Sequence, residues 1–120
     1  MRKVLSLFFV VLLLPGLSGI SQAGAQEISD PEAEYLRIRT LAFEGSHDEA
    51  ALAARKLVNA FPEYGDARVL LGRILAWQKD FKQAEAVLDT LLKSDPDNED
   101  ALAAMRDITL WSKENTAIAT

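Results

Sequence analysis

Residue types recur every 34 positions along most of this 120-residue chain, and that period restricts the fold more than any single motif does. Pro62 and Pro96 are one period apart, and so are Ala50 and Ala84, Leu41 and Leu75, Leu57 and Leu91, and Arg39 and Arg73. Two series keep the interval three times: Glu32, Asp66, Asp100 and Phe43, Trp77, Trp111. A period of this length means that each unit is one supersecondary element, stacked on the next to bury a common core. The units run from Pro31 to Tyr64, from Gly65 to Asn98, and, as a partial third, from Glu99 onward. Between the corners the chain is rich in Ala, Leu, Glu, Lys and Arg, all good helix formers, while Pro31, Gly45, Pro62, Gly65 and Pro96 sit at the corners.

The punctuation divides each full unit into two helices. In the middle unit the first helix is expected from about Asp66 to Gln78, and the second opens at Asp80 with Gln83 three residues on, a reciprocal capping pair. Ser46 and Glu49 occupy the matching places in the first unit, after Gly45 has ended the preceding helix. Pro62 and Pro96 stop the second helices, because proline cannot continue the hydrogen-bond ladder. The expected architecture is all-α: a short α-solenoid of antiparallel helical hairpins, about two and a half units long.

The middle unit, with Ala67, Leu71, Gly72, Leu75, Phe81, Ala84, Leu88, Leu91 and the Asp95, Pro96 ending, resembles a tetratricopeptide repeat. The first unit departs from the pattern with Ile38 in the place of Gly72 and His47 in the place of Phe81. The third has the first-helix pattern followed by ENTAIAT. The resemblance covers Pro31 to about Trp111, so a repeat domain is expected over 31–112 and a C-terminal tail over 113–120. It implies that Gly72, Ala84 and Ala50 let helices cross closely, that Leu71, Leu75, Leu88 and Leu92 fill the space between hairpins, and that the first helices line a concave groove. That groove would carry Glu32, Asp66 and Asp100 at one level, Arg39 and Arg73 at another, and Phe43, Trp77 and Trp111 at a third, with about 10 Å between equivalent residues. It lacks the Lys and Asn pattern with which chaperone-binding relatives clamp a terminal carboxylate. Such hairpins are stabilised by their neighbours, and about three are usually needed, so the open end of the last one invites a partner, a second copy or further sequence.

Residues 1–25 read as a cleaved signal peptide, with a basic start at Arg2 and Lys3, an apolar run from Val4 to Leu14, and small residues after Pro15 and Gly16. The run is short of the roughly 20 apolar residues that span a bilayer. Cleavage fits after Ala23 or, preferably, after Ala25, which leaves 26–30 as a short linker. The chain has no cysteine, so a lipid anchor at the cleavage site and any disulfide are excluded, and a periplasmic location is expected. Without Arg2 and Lys3 there are 11 basic and 18 acidic residues, a net charge of −7, which opposes nucleic-acid binding. The leader, the LGRILAW phrase and the repeated tryptophan are also similar to the periplasmic repeats before the outer-membrane β-barrel of YaiO-type proteins and exopolysaccharide export porins. The chain ends before any run of alternating strands, so no barrel is expected from it.

Catalytic chemistry finds little material here. The single histidine, His47, stands at a helix start, and no serine is paired with a base. Asp95, Asp97 and Asp100 resemble the start of a calcium loop but lack its glycine and closing glutamate, so neither a metal nor a cofactor is expected. Arg39 and Arg73 suit either internal ion pairs or a partner's carboxylate. The aromatic series suits packing between hairpins, a groove for a partner segment, or a stacking surface for sugar rings. The expected function is a non-enzymatic scaffold of the bacterial envelope that binds a protein segment in the groove. The alternatives are a carbohydrate-binding accessory of an export system and a self-associating structural module.

Overall fold

In the computed structural model, which describes residues 27–119, helices α1 (Pro31–Phe43), α2 (His47–Ala60), α3 (Gly65–Trp77), α4 (Phe81–Ser94) and α5 (Glu99–Ala119) follow in order. The signal-peptide reading of residues 1–25 lies outside the described residues. The first helices begin at Pro31, Gly65 and Glu99, and the second helices at His47 and Phe81, so the period of the sequence is also that of the helices. Each helix packs on the next, and α3 also touches α1 and α5, which makes a short all-α solenoid.

The corners show how the sequence sets these ends. Asp30 caps α1, its carboxylate accepting from the N–H groups of Glu32 and Ala33 at 3.1 Å, with Pro31 at the first helical position where its missing N–H costs nothing. After α1, Gly45 at φ 92° turns the chain, and Gly45 and Ser46 donate back to the carbonyls of Ala42 and Leu41. Lys79, one period later, takes φ 71° and makes the same bonds with Asp80, to Ala76 and Leu75. A side chain in this left-handed region costs about 1–2 kcal/mol. Lys79→Gly should therefore raise stability by about 1 kcal/mol and Gly45→Lys lower it by a similar amount, read as opposite shifts of the denaturant midpoint.

The expected reciprocal capping pairs do not form. Asp80 accepts from the Gln83 N–H at 3.3 Å, but Ser46 makes no side-chain cap bond. The reason is local: the N–H groups of Ser46 and Asp80 are already given to Leu41 and Leu75, so Glu49 and Gln83 find no donor there. The Gln83 side chain instead accepts from Arg55 on α2. Both second helices end as expected, with Phe61 and Asp95 at φ −130° and −139°, since a following proline disfavours the helical conformation.

The core is a column of aliphatic side chains along the stack, in which Ile38, Leu57, Ile74, Leu88 and Ile108 are the largest fully buried. Stacking decides what is buried: Leu36 and Thr40 on α1 are exposed, while Leu70 and Ile74 on α3, and Ala104 and Ile108 on α5, are covered by the preceding hairpin. Within the second hairpin a Cβ at Gly72 would lie 3.0 Å from the Leu88 side chain. The first hairpin holds Ile38 and Ala54 at these two places, both buried. Bulk has moved from the second helix to the first, which accounts for the departure at Ile38.

The tail expected over 113–120 is instead helical as far as Ala119, as the end of α5. Lys79, Asp80 and Phe81, which turn the chain after α3, correspond to Lys113, Glu114 and Asn115. There is no short capping side chain at Glu114 and no apolar residue at Asn115 to fold the chain back, so the helical ladder continues.

Candidate partner-binding groove

The first helices of the three units form one side of the solenoid and enclose a cleft of about 540 Å³. Tyr35, Arg39 and Phe43 come from α1, Asp66, Val69, Leu70, Arg73 and Trp77 from α3, and Asp100 from α5. Of the eight residues placed in the groove from sequence, Arg39, Phe43, Asp66, Arg73, Trp77 and Asp100 are therefore brought together. Glu32 lies apart, in a hollow with Phe61, Pro62 and Tyr64. Trp111 lines another hollow, of about 300 Å³, with Trp77, Phe81, Glu114, Asn115 and Ile118. Trp77 borders both the cleft and this hollow.

The aromatic row begins as a packed junction. The Trp77 ring sits between Phe43, at 5.8 Å between centroids, and His47, at 5.7 Å, distances typical of favourable tilted pairs. His47 thus has a packing role where the next unit has Phe81. Phe43 differs from Trp77 in being 67% exposed. The Arg39 guanidinium stands 5.5 Å from its ring centroid, a cation–π contact that fixes the side chain while leaving its donors open.

Arg73 is held differently, its Nη1 donating to Asp107 Oδ2 at 3.0 Å. Asp107 lies one period after Arg73, so the arginine row changes sign in the third unit and closes on itself. The pair is partly exposed, so it contributes orientation more than stability. The sequence reading missed Asp107, although continuing the series Arg39, Arg73 by one period would have found it. It also missed Tyr35, Val69 and Leu70, the apolar floor of the cleft: Tyr35 and Val69 have no repeated type, whereas Leu70 keeps the period with Leu36 and could have been found that way.

Tyr35 and Tyr64 meet at 5.8 Å between ring centroids, at the acidic edge. Burial pushes the Tyr35 phenol above its ordinary value and the Asp66 carboxylate adds to this; burial and then Glu32 do the same for Tyr64. These are the only tyrosines of the chain. Both should titrate above a free phenol in an alkaline absorbance titration. Because the folded state favours the neutral phenols, their contribution to stability is present below about pH 10 and lost as pH rises through that range.

The acidic cluster before α5 serves the helix junction. Asp95 accepts from the Asn98 side-chain amide at 3.0 Å, and Asn98 caps the N–H of Ala101 at 2.9 Å. Among the described residues no group of three His, Cys, Asp or Glu side chains is placed to hold a metal ion.

The family model of the tetratricopeptide repeat matches residues 41–108, more than half of the chain. No curated protein and no solved structure matches it. Repeats of this family generally mediate protein–protein interaction and are typically non-catalytic. Helical hairpins that recur every 34 residues, the close crossing at Gly72 and the match over residues 41–108, which spans the whole second unit and parts of the first and third, lead to one conclusion: the chain belongs to the tetratricopeptide repeat family.

Proposed function

We propose that this protein is an exported adaptor of the bacterial envelope that holds an amphipathic segment of a partner protein across α1, α3 and α5. The observation that supports this best is Phe43: a large ring left two-thirds exposed on a rigid helix, with Arg39 stacked on it and Trp77 behind it. Aromatic and arginine side chains of this kind dominate binding energy at interfaces. Along the helices, Asp66 and Trp77 are about 16 Å apart, enough to seat a helix about 10–12 Å wide. Asp66 and Asp100 form one edge, Tyr35, Val69 and Leu70 the floor, and Arg39 and Arg73 the far side. A matching segment has an apolar face with basic residues along one flank and acidic residues along the other. The leader pattern of residues 1–25 supports the exported setting.

A panel of synthetic amphipathic helices tests this, with binding followed through tryptophan fluorescence. Peptides with one basic and one acidic flank should bind more tightly than peptides of the same apolar face with both flanks basic or both acidic. Equal responses across the panel, or a response to oligosaccharides alone, would refute the reading.

A further inference from the structure

The Trp77 ring belongs to two junctions between hairpins, and only the first is closed. There it is held between Phe43 and His47. One period on, Trp77 and Phe81 stand in the places of Phe43 and His47, and Trp111 in the place of Trp77, but these three rings border a hollow of about 300 Å³. The end of α5 supplies its far wall. Ala101, Ala104, Ile108, Trp111 and Ile118 lie on one stripe of that helix, at spacings of three, four and seven residues. The first three are fully buried, whereas Ile118 is 84% exposed. While α3 ends at Trp77, α5 continues past Trp111 to Ala119, about 12 Å further. The core stripe therefore overhangs the corner between α3 and α4, and Ile118 lines the hollow together with Phe81. Lys79 and Glu114, both exposed, give it a polar side.

We infer that this hollow is a second subsite for the segment seated in the cleft, and that it takes one aromatic side chain of that segment, an inference that rests on the docking proposed for the cleft. Trp77 is a wall of both spaces, so the two are continuous for a segment that lies across α1, α3 and α5. The chain fills its own first junction in the same manner, with one ring between two others. A tyrosine or tryptophan suits the hollow, because its ring is covered by Trp77, Phe81 and Trp111 while its polar edge meets Lys79 or Glu114. Equivalent residues on neighbouring first helices are about 10 Å apart, which puts Phe43 about 15 Å from the space between Trp77 and Trp111. On a helical partner that distance is about 10–11 residues, or three turns. The residue that meets Phe43 and the ring that enters the hollow then share one face of the segment.

Two fluorescein-labelled helical peptides with one basic and one acidic flank test this by fluorescence anisotropy on the whole chain, one carrying tyrosine and the other alanine at the second anchor. The tyrosine peptide should bind about tenfold more tightly. Trp111→Ala should remove that advantage and leave the affinity of the alanine peptide nearly unchanged. Ile118→Ser should reduce the advantage as well; its side chain is outside the core, so this variant decides the matter if Trp111→Ala loses stability. Phe43→Ala should weaken both peptides by the same factor. Equal affinity of the two peptides for the unaltered chain overturns the inference, as does a tyrosine advantage that survives both α5 variants, and in either case docking in the cleft stands. Binding of neither peptide overturns the docking in the cleft and the subsite with it.

Discussion

Gly72→Ile is expected to destabilise the fold sharply, and Leu88→Ala to do the same, yet the two together should recover much of what each loses. A Cβ at Gly72 already lies 3.0 Å from Leu88 Cγ. The rest of an isoleucine side chain has nowhere to go while the leucine remains, and overpacking of this kind costs about 1–3 kcal/mol. Leu88 is fully buried, so truncating it leaves a cavity worth about 2–5 kcal/mol. The double variant reproduces the Ile38 and Ala54 pair of the first hairpin, which is fully buried in the same chain. In a domain of this size each kcal/mol moves Tm by about 4–8 °C, so thermal unfolding of the two single variants and the double resolves the coupling. Additive losses would show that the hairpins do not exchange bulk at this level.

Trp77→Ala should cost about 2–3 kcal/mol, somewhat below the 3–5 kcal/mol typical of a fully buried tryptophan, because the ring is packed on the core but not fully buried. Its contacts to Phe43 on α1 and His47 on α2 join the first hairpin to the second. Stability of stacked repeats depends on such neighbour interfaces. The unfolding midpoint should fall, and hydrogen exchange should accelerate in α1 and α2 more than in α4. Trp77→Phe should keep most of the stability. A uniform acceleration along the chain would mean that the junction is held elsewhere.

The repeat was legible because it leaves traces at two independent levels. Helix starts follow from local chemistry at Pro31, Gly45 and Asp80, and the core follows from residue types that must recur wherever hairpins stack. The end of α5 was not legible in the same way. ENTAIAT lacks the apolar pattern of a second helix, and that absence fits a tail as well as a helix that merely continues. The capping pairs at Ser46 and Asp80 failed for a related reason, since the left-handed corner before them had already taken their N–H groups. In the cleft, the repeated types led to Arg39, Phe43, Arg73 and Trp77. Tyr35 and Val69 carry no repetition and appear only when the helices are placed side by side. Trp111 kept the period, and its hollow is lined by Trp77 and Phe81, one period after the Phe43 and His47 that flank Trp77, but that hollow lies beside the cleft and not within it.

Phe43 separates docking from packing better than Trp77 does, because its ring is 67% exposed and contributes little to the core. The most direct measurement is the affinity of Phe43→Ala for the best amphipathic peptide, set beside its thermal unfolding. A binding loss of about tenfold or more with Tm nearly unchanged is the result predicted for a groove that docks a partner segment. Unchanged affinity would contradict it and leave the aromatic row as a seam between hairpins.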